Sequence, residues 1–221
     1  DGAVKVQPDG KILIGGYSYT TNNSGVHRYN TDGTQDLSFG TGGTVEFSGA
    51  GSLTDILVLA NSQILILTYN QLIRLNSDGS LDLTFNATGM APLPSDYSGY
   101  ALGLQSNGDI VVGAIHDDSW NSGMYYAKAV RYNSSGAQQD ISAGLDCYSM
   151  YNMHLTVQDD DKTILAFDRL GISNNVLFRL NPDMTTDTSF GSGTGSVSFN
   201  GDQEMIGSEI LSNGKIIIYG N

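Results

Sequence analysis

With 221 residues, 39% of them hydrophobic and 15% charged, the chain has the material for a packed core and not the composition of a disordered segment. Ten Lys and Arg against 23 Asp and Glu leave a formal charge of -13, a field that repels phosphate backbones and anionic headgroups and argues against nucleic acid as a partner. No apolar run reaches the ~18 residues of a membrane-spanning helix; segments such as Ile64-Leu65-Ile66-Leu67 have the length of a buried strand, so no membrane insertion is expected.

In chain order, the first predicted element is a hairpin: Val4-Lys5-Val6 and Ile12-Leu13-Ile14 flank Pro8-Asp9-Gly10. Pro presets the turn, Asp hydrogen-bonds locally, and Gly supplies the positive φ of a type I turn with a G1 bulge. A second hairpin follows, Val26-His27-Arg28-Tyr29-Asn30 and Asp36-Leu37-Ser38-Phe39-Gly40 around Thr31-Asp32-Gly33. The pair then recurs. The first hairpin returns at Val58 to Ile64, at Leu104-Gln105-Ser106-Asn107-Gly108-Asp109-Ile110, at Val157-Gln158-Asp159-Asp160-Asp161-Lys162, and at Ile210-Leu211-Ser212-Asn213-Gly214-Lys215-Ile216. The second returns at Arg74 with Asp78-Gly79, at Arg131 with Ser135-Gly136, and at Arg179 with Asp183-Met184.

Copies therefore fall at about residues 3–50, 51–99, 100–150 and 151–205, with a partial copy at 206–221, in one segment spanning 1–221. Gly, Asn, Ser and Thr recur too often for an uninterrupted amphipathic helix, so the chain reads as all-β. Four antiparallel strands in a repeat of roughly 50 residues describe the blade of a β-propeller, with a stacked solenoid of hairpins as the alternative. About four and a half blades are present, an open or partial ring. Neighbouring subunits, or the rest of a larger chain, are expected to complete the open blade, because an unpaired edge accepts a strand.

The run Val6-Gln7-Pro8-Asp9-Gly10-Lys11-Ile12-Leu13-Ile14-Gly15-Gly16, with Arg28-Tyr29-Asn30-Thr31-Asp32-Gly33-Thr34 and Asp36-Leu37-Ser38-Phe39-Gly40 after it, resembles the delta-60 repeat family of bacterial β-propellers. The resemblance implies a module of large secreted, surface-attached or virion-associated proteins, and supplies no catalytic residues. The chain departs from the pattern where Ser62, Asp161 and Met184 replace turn glycines.

A three-residue loop sets Arg28 opposite Asp36 on one sheet face, and the same count pairs Arg74 with Asp82 and Arg179 with Asp187. One extra residue between Arg131 and Asp140 requires a longer or bulged turn there. An ion pair in every blade reads as structural, since a single ligand has no use for four copies. Asp159-Asp160-Asp161 invites a calcium reading, but it occupies a hairpin turn without a spaced liganding loop, so an acidic turn is the expectation and no metal is assigned. Cys147, the lone cysteine, has neither a disulfide partner nor zinc-site spacing and reads as a packed thiol. No cofactor motif is present. Asn22, Asn86 and Asn133 head glycosylation triplets of a kind that arises often by chance.

His27, His116 and His154 are scattered and carry no nucleophile motif. The segments that break the repeat are more informative. Residues 116–126 hold the only Trp, Trp120, with Asp117, Tyr125 and Tyr126, and residues 92–100 hold Tyr97 and Tyr100. Insertions on a repeat scaffold map to loops, where these aromatics can stack on a sugar or anchor a protein. The plain alternative is that they cover the blade beneath them. The sequence thus points to a non-enzymatic recognition module binding protein or glycan at an extracellular, cell-surface or virion location. A carbohydrate-active lyase or hydrolase with its site in the central channel is the alternative.

Overall fold

The computed structural model describes residues 2–147, 153–169, 174–200, 205–211 and 214–220. Its unit is the hairpin closed by a three-residue turn. In the first, Gln7 N–H donates to the Lys11 carbonyl and Gly10 N–H to the Gln7 carbonyl, both at 2.8 Å, with Gly10 at φ 83°. Ser62 (φ 66°), Asp161 (φ 62°) and Met184 (φ 66°) hold the same left-handed conformation where glycine is missing. The ladder on either side forces it, at a cost of roughly 1–2 kcal/mol for a residue with a Cβ. Ser212 and Asn213 of the fifth copy's turn lie outside the described residues.

The chain is an all-β β-propeller of antiparallel blades, each wound in chain order. The first sheet runs β1 (Gly2–Val6), β2 (Ile12–Ser18), β3 (Asn23–Tyr29), β4 (Thr44–Ser48), and the second β5 (Leu53–Val58), β6 (Ile64–Thr68), β7 (Gln71–Leu75), β8 (Met90–Pro92). The third contains β9 (Tyr97–Leu104), β10 (Ile110–Asp118), β11 (Met124–Tyr132), β12 (Gln138–Ile141) and β13 (Leu145–Cys147). The fourth runs β14 (Met153–Val157), β15 (Thr163–Arg169), β16 (Asn174–Leu180), β17 (Ser196–Asn200), and a fifth pairs β18 (Met205–Ile210) with β19 (Ile216–Gly220). Apart from strands, the described residues hold one helical turn, Gly191–Gly193.

Two compact units emerge, residues 1–95 with 135–137 and residues 96–134 with 138–221. In the first unit, Leu13, Val26, Phe39 and Phe47 of the first repeat pack on Leu53, Ile56, Ile64 and Ile66 of the second, all buried. In the second unit, Val111, Ala127, Ala129 and Cys147 pack on Met153, Leu165, Phe167 and Phe178, and Ile216 and Ile218 lie against Ile164, Ala166 and Leu177. Blades stack on one another through strand residues of alternating direction, which is why β6 reads as an unbroken apolar run: both of its faces are covered.

The third sheet departs from the four-strand pattern in two ways. Its outer position is split between β12 and β13, both paired to β11. The register slips between Val130 and Tyr132, a bulge that absorbs the extra residue before Asp140. The second departure concerns residues 92–100 and 116–126, expected as loops. Most of these residues are strand: β9 starts at Tyr97, while β10 and β11 extend their pairing out to Asp118 and Met124, leaving a five-residue tip. Tyr125, Ala127 and Ala129 alternate along β11 with Tyr126 and Lys128 and sustain the pleat, so the insertion lengthens a hairpin rather than adding irregular chain.

Candidate functional site

The recurring Arg and Asp meet in every repeat. Arg28 Nε lies 2.7 Å from Asp36 Oδ2, and Arg74–Asp82 and Arg179–Asp187 repeat that distance. Arg131 Nε reaches Asp140 at 3.1 Å. The hydroxyls of Ser38, Thr84 and Ser189 donate to the other carboxylate oxygen of Asp36, Asp82 and Asp187 at 2.6–2.7 Å, with their N–H groups alongside. The Arg28, Arg74 and Arg179 guanidiniums lie over the ring three positions beyond their Asp, 4.4 Å from Phe39, 4.6 Å from Phe85 and 4.5 Å from Phe190.

A further member of each cluster was not anticipated. The residue just after the first turn always reaches the pair: Lys11 Nζ to Asp36 at 2.9 Å, Gln63 Nε2 to Asp82 at 2.7 Å, Lys162 Nζ to Asp187 at 3.1 Å. In the third repeat the position is Asp109, 3.4 Å from Arg131, so one guanidinium there serves two carboxylates. The signal was the repeating position after the turn, obscured because its chemistry alternates between cation, amide and anion.

These contacts hold the carboxyls ionised. The Ser38 hydroxyl and then Lys11 keep Asp36 far below the usual range, and the Ser189 hydroxyl does the same for Asp187. For Asp82 burial opposes ionisation, but Thr84 and Arg74 outweigh it and bring the carboxyl to about 2. The clusters also bind neighbouring blades: Arg28 donates to the Ser77 carbonyl and Arg131 Nη1 to that of Pro182 at 3.2 Å. They latch each blade to the next, and in three of the four the carboxylate is engaged by several fixed partners.

The aromatic residues of the third sheet are arranged differently. Tyr97 on β9 stacks on His116 of β10, ring centroids 4.6 Å apart at 26°, and His116 faces Tyr126 of β11 at 6.2 Å and 27°. Lys128 Nζ stands 5.9 Å from the Tyr97 ring. Cross-strand pairing sets this row, since His116 is opposite both Tyr97 and Tyr126. Trp120, at the tip, is 94% exposed and stacks on no other ring among the described residues. The tip is braced by hydrogen bonds: Asp117 Oδ1 accepts the Ser119 N–H at 3.0 Å, Asp118 Oδ1 accepts Asn121 Nδ2 at 3.0 Å, and the Asp118 carbonyl accepts the N–H groups of Asn121 and Ser122. Hydrogen bonds from Ser119 and Ser122 lower the two carboxyls.

One face of this hairpin therefore carries Tyr97, His116, Tyr126 and Lys128. Tyr125 points the other way and packs with Tyr100 against the core of Val111, Ala127 and Phe167, as strand alternation demands. Of the residues singled out by sequence, Tyr97 and Tyr126 come together, Asp117 builds the tip, Trp120 crowns it, and Tyr125 is structural. Asp161 is likewise a joint, its carboxylate taking the Ser106 N–H and hydroxyl at 2.6 Å each. Among the described residues no three His, Cys, Asp or Glu side chains converge as metal ligands.

Comparison with known proteins bears on the fold. Residues 7–39 and 66–85 match the model of a family described as a domain of unknown function (DUF5122) β-propeller. No curated protein sequence matches the chain. Similar solved structures include a protein of unknown function from Bacteroides caccae, at 11% identity and TM-score 0.59 over 94% of this chain and 64% of that one. Regucalcin, a calcium-binding protein of Agrobacterium tumefaciens, aligns at 14% identity and TM-score 0.55 over 98% and 66%. A protein of unknown function from Dyadobacter fermentans aligns at 14% and 0.51 over 100% and 74%. The chain thus spans about two thirds of the length of the first two.

Proposed function

We propose that the chain is a non-enzymatic structural and recognition module of a larger extracellular, cell-surface or virion protein, and that it binds a protein or glycan through the extended hairpin of the third sheet. The observation that carries this reading is Trp120, 94% exposed on a tip braced by Asp117 and Asp118 and rooted in the Tyr97–His116–Tyr126 row. A large apolar ring held in water on a hydrogen-bonded tip is presented for stacking, because the backbone entropy of the tip is spent during folding and not at binding. The resemblance of the repeat to the delta-60 family supports the location. The Arg–Asp clusters support a non-catalytic reading, since Asp36, Asp82 and Asp187 are each engaged by several fixed partners.

The test is to present the labelled chain to a glycan array and to envelope extracts of candidate host cells, and to assay the same polysaccharides for turnover. Saturable capture without product formation is the expected result. Release of reducing ends or unsaturated sugars from any polysaccharide would make the chain an enzyme and overturn the reading.

A further inference from the structure

Within each unit, one face of a sheet packs on the opposite face of the next. Leu13 and Val26 of the first sheet pack on Ile64, Ile66 and Ile73 of the second, and Val111 and Ala129 of the third pack on Leu165, Phe167 and Phe178 of the fourth. In the first sheet the positions matching Ile64 and Ile66 are Ile12 and Ile14, which share their face with Val6 and Val4 across the ladder. That face is open: Val4 is 62% and Val6 67% exposed, and Ile14 is exposed beside them. The fifth sheet exposes the other kind of face. Ile217, the counterpart of Leu13, is exposed, and so is Tyr219. Two apolar faces of the kinds that pair inside the molecule therefore meet water, one of each kind.

Their shapes are particular to each other. Inside the molecule the covering face carries glycine where the covered face brings in bulk: a Cβ at Gly15 would come 2.7 Å from Leu53 Cδ1, and one at Gly113 2.8 Å from Met153 Sδ. Met153 begins a row across the fourth sheet, Met153–Phe167–Val176. On the fifth sheet the position of Gly15 and Gly113 is taken by Tyr219, whose ring lies across Gly207 of the neighbouring strand, where a Cβ would collide with it. On the first sheet the row matching Met153–Phe167–Val176 is Gly2–Gly16–Gly25. Bulk is missing from that row, and a hollow of about 240 Å³ opens over Gly16 and Gly25, walled by Ile14, His27 and Glu46. The fifth sheet thus has a ring where the first and third have glycine, and the first sheet has glycine where the fourth has Met, Phe and Val. A covering face with glycine at that position would leave the hollow empty, whereas protein contacts pack closely.

We propose that the first sheet of one copy of this chain docks on the fifth sheet of a second copy, with Tyr219 seated over the Gly16–Gly25 floor. The contact joins sheet faces and is separate from the strand edge of the open blade. It uses different patches on the two copies, so it builds a ring or a filament. Copies carrying a charge of -13 repel, so salt favours the association.

The test is sedimentation velocity of the chain over a range of concentrations in about 1 M salt, where the Debye length is about 3 Å. Val4→Asp disables the first-sheet face and Tyr219→Asp the fifth-sheet face, while Leu83→Asp alters an exposed apolar residue of the second repeat. Melting temperatures are followed in parallel, and Val6→Asp or Ile217→Asp replaces a variant that melts below the wild type. The wild type should associate beyond the 23.5 kDa of one chain as its concentration rises. Either face variant should weaken association by about tenfold or more, and Leu83→Asp by about twofold or less. Mixing the two face variants restores one sound contact, from the first sheet of the Tyr219→Asp chain to the fifth sheet of the Val4→Asp chain. The mixture should therefore form a heterodimer at concentrations where each variant alone is monomeric. A monomeric wild type, equal weakening by Leu83→Asp, association untouched by both face variants, or a mixture no more associated than its components would overturn the proposal.

Discussion

Asp36, Asp82 and Asp187 each gather four donors: an N–H and a hydroxyl from the residue two positions on, a guanidinium from the facing strand, and Lys11, Gln63 or Lys162 from the strand beyond. Such a carboxylate is worth most when all four are present, because removing one partner of a buried pair leaves an uncompensated charge. Arg74→Ala is therefore expected to cost about 3–5 kcal/mol, measured by urea unfolding. Arg131→Ala should cost less, about 1–3 kcal/mol, since Asp140 is 45% exposed and water replaces its lost partner, while Asp109 and the Pro182 carbonyl lose a donor in a more sheltered place. The same clusters set the acid limb of stability. All three carboxyls titrate lower in the folded state than the ~3.9 of a free Asp, so their contribution is complete above that value and is lost as pH falls through the folded values, about 2 for Asp82. The melting temperature should be flat from neutral pH down to about 4 and then fall steeply toward 2. The Arg–Asp register was legible because a three-residue turn fixes which residues face each other. Lys11 and its counterparts were not, because they come from a third strand and share a place rather than a chemistry.

At the scale of elements, Met184 shows how a repeat departs from its own rule. In the first two repeats a buried Phe39 meets the next turn at Gly79, where a Cβ would come 3.0 Å from the ring and 2.8 Å from the Gly40 nitrogen. The third repeat has Ala143 in place of Phe, and the next turn carries Met184, 2% exposed among Val111, Phe178 and Leu180. Ala143 itself is exposed, and Met184 supplies apolar bulk to a core shared by residues of the third and fourth repeats. Met184→Gly would relieve a φ of 66° worth roughly 1–2 kcal/mol but would empty a site worth about 2–5 kcal/mol, so the variant should be less stable in urea despite restoring the turn glycine. From sequence this Met looked like lost turn chemistry, because the space it fills belongs to another repeat. The third-sheet hairpin was misjudged for a related reason. Its length relative to the other copies was visible, but strand pairing out to Asp118 and Met124 depends on partners across the sheet. Period-two alternation could have separated Tyr125, which faces the core, from Tyr126, which does not.

For the whole molecule, the fold was the most legible property, since a sentence repeated at a fixed period leaves few architectures that bury both faces of each sheet. Cys147 follows from that architecture: it is fully buried between the third and fourth sheets' side chains, so its thiol should not react with a disulfide reagent in the native state and should react at once in urea. The proposed function was less legible because it rests on a single departure from the repeat, and recognition chemistry depends on which rings stand together. The central claim is that this departure is the binding surface. The most direct measurement is the affinity of the partner captured by the wild-type chain for Trp120→Ala and Tyr126→Ala, with the melting temperature followed in parallel. Losses of about tenfold or more, as for aromatic anchors, with Trp120→Ala melting as the wild type does, are the result expected. Unchanged affinity in both variants would place recognition elsewhere and contradict the account.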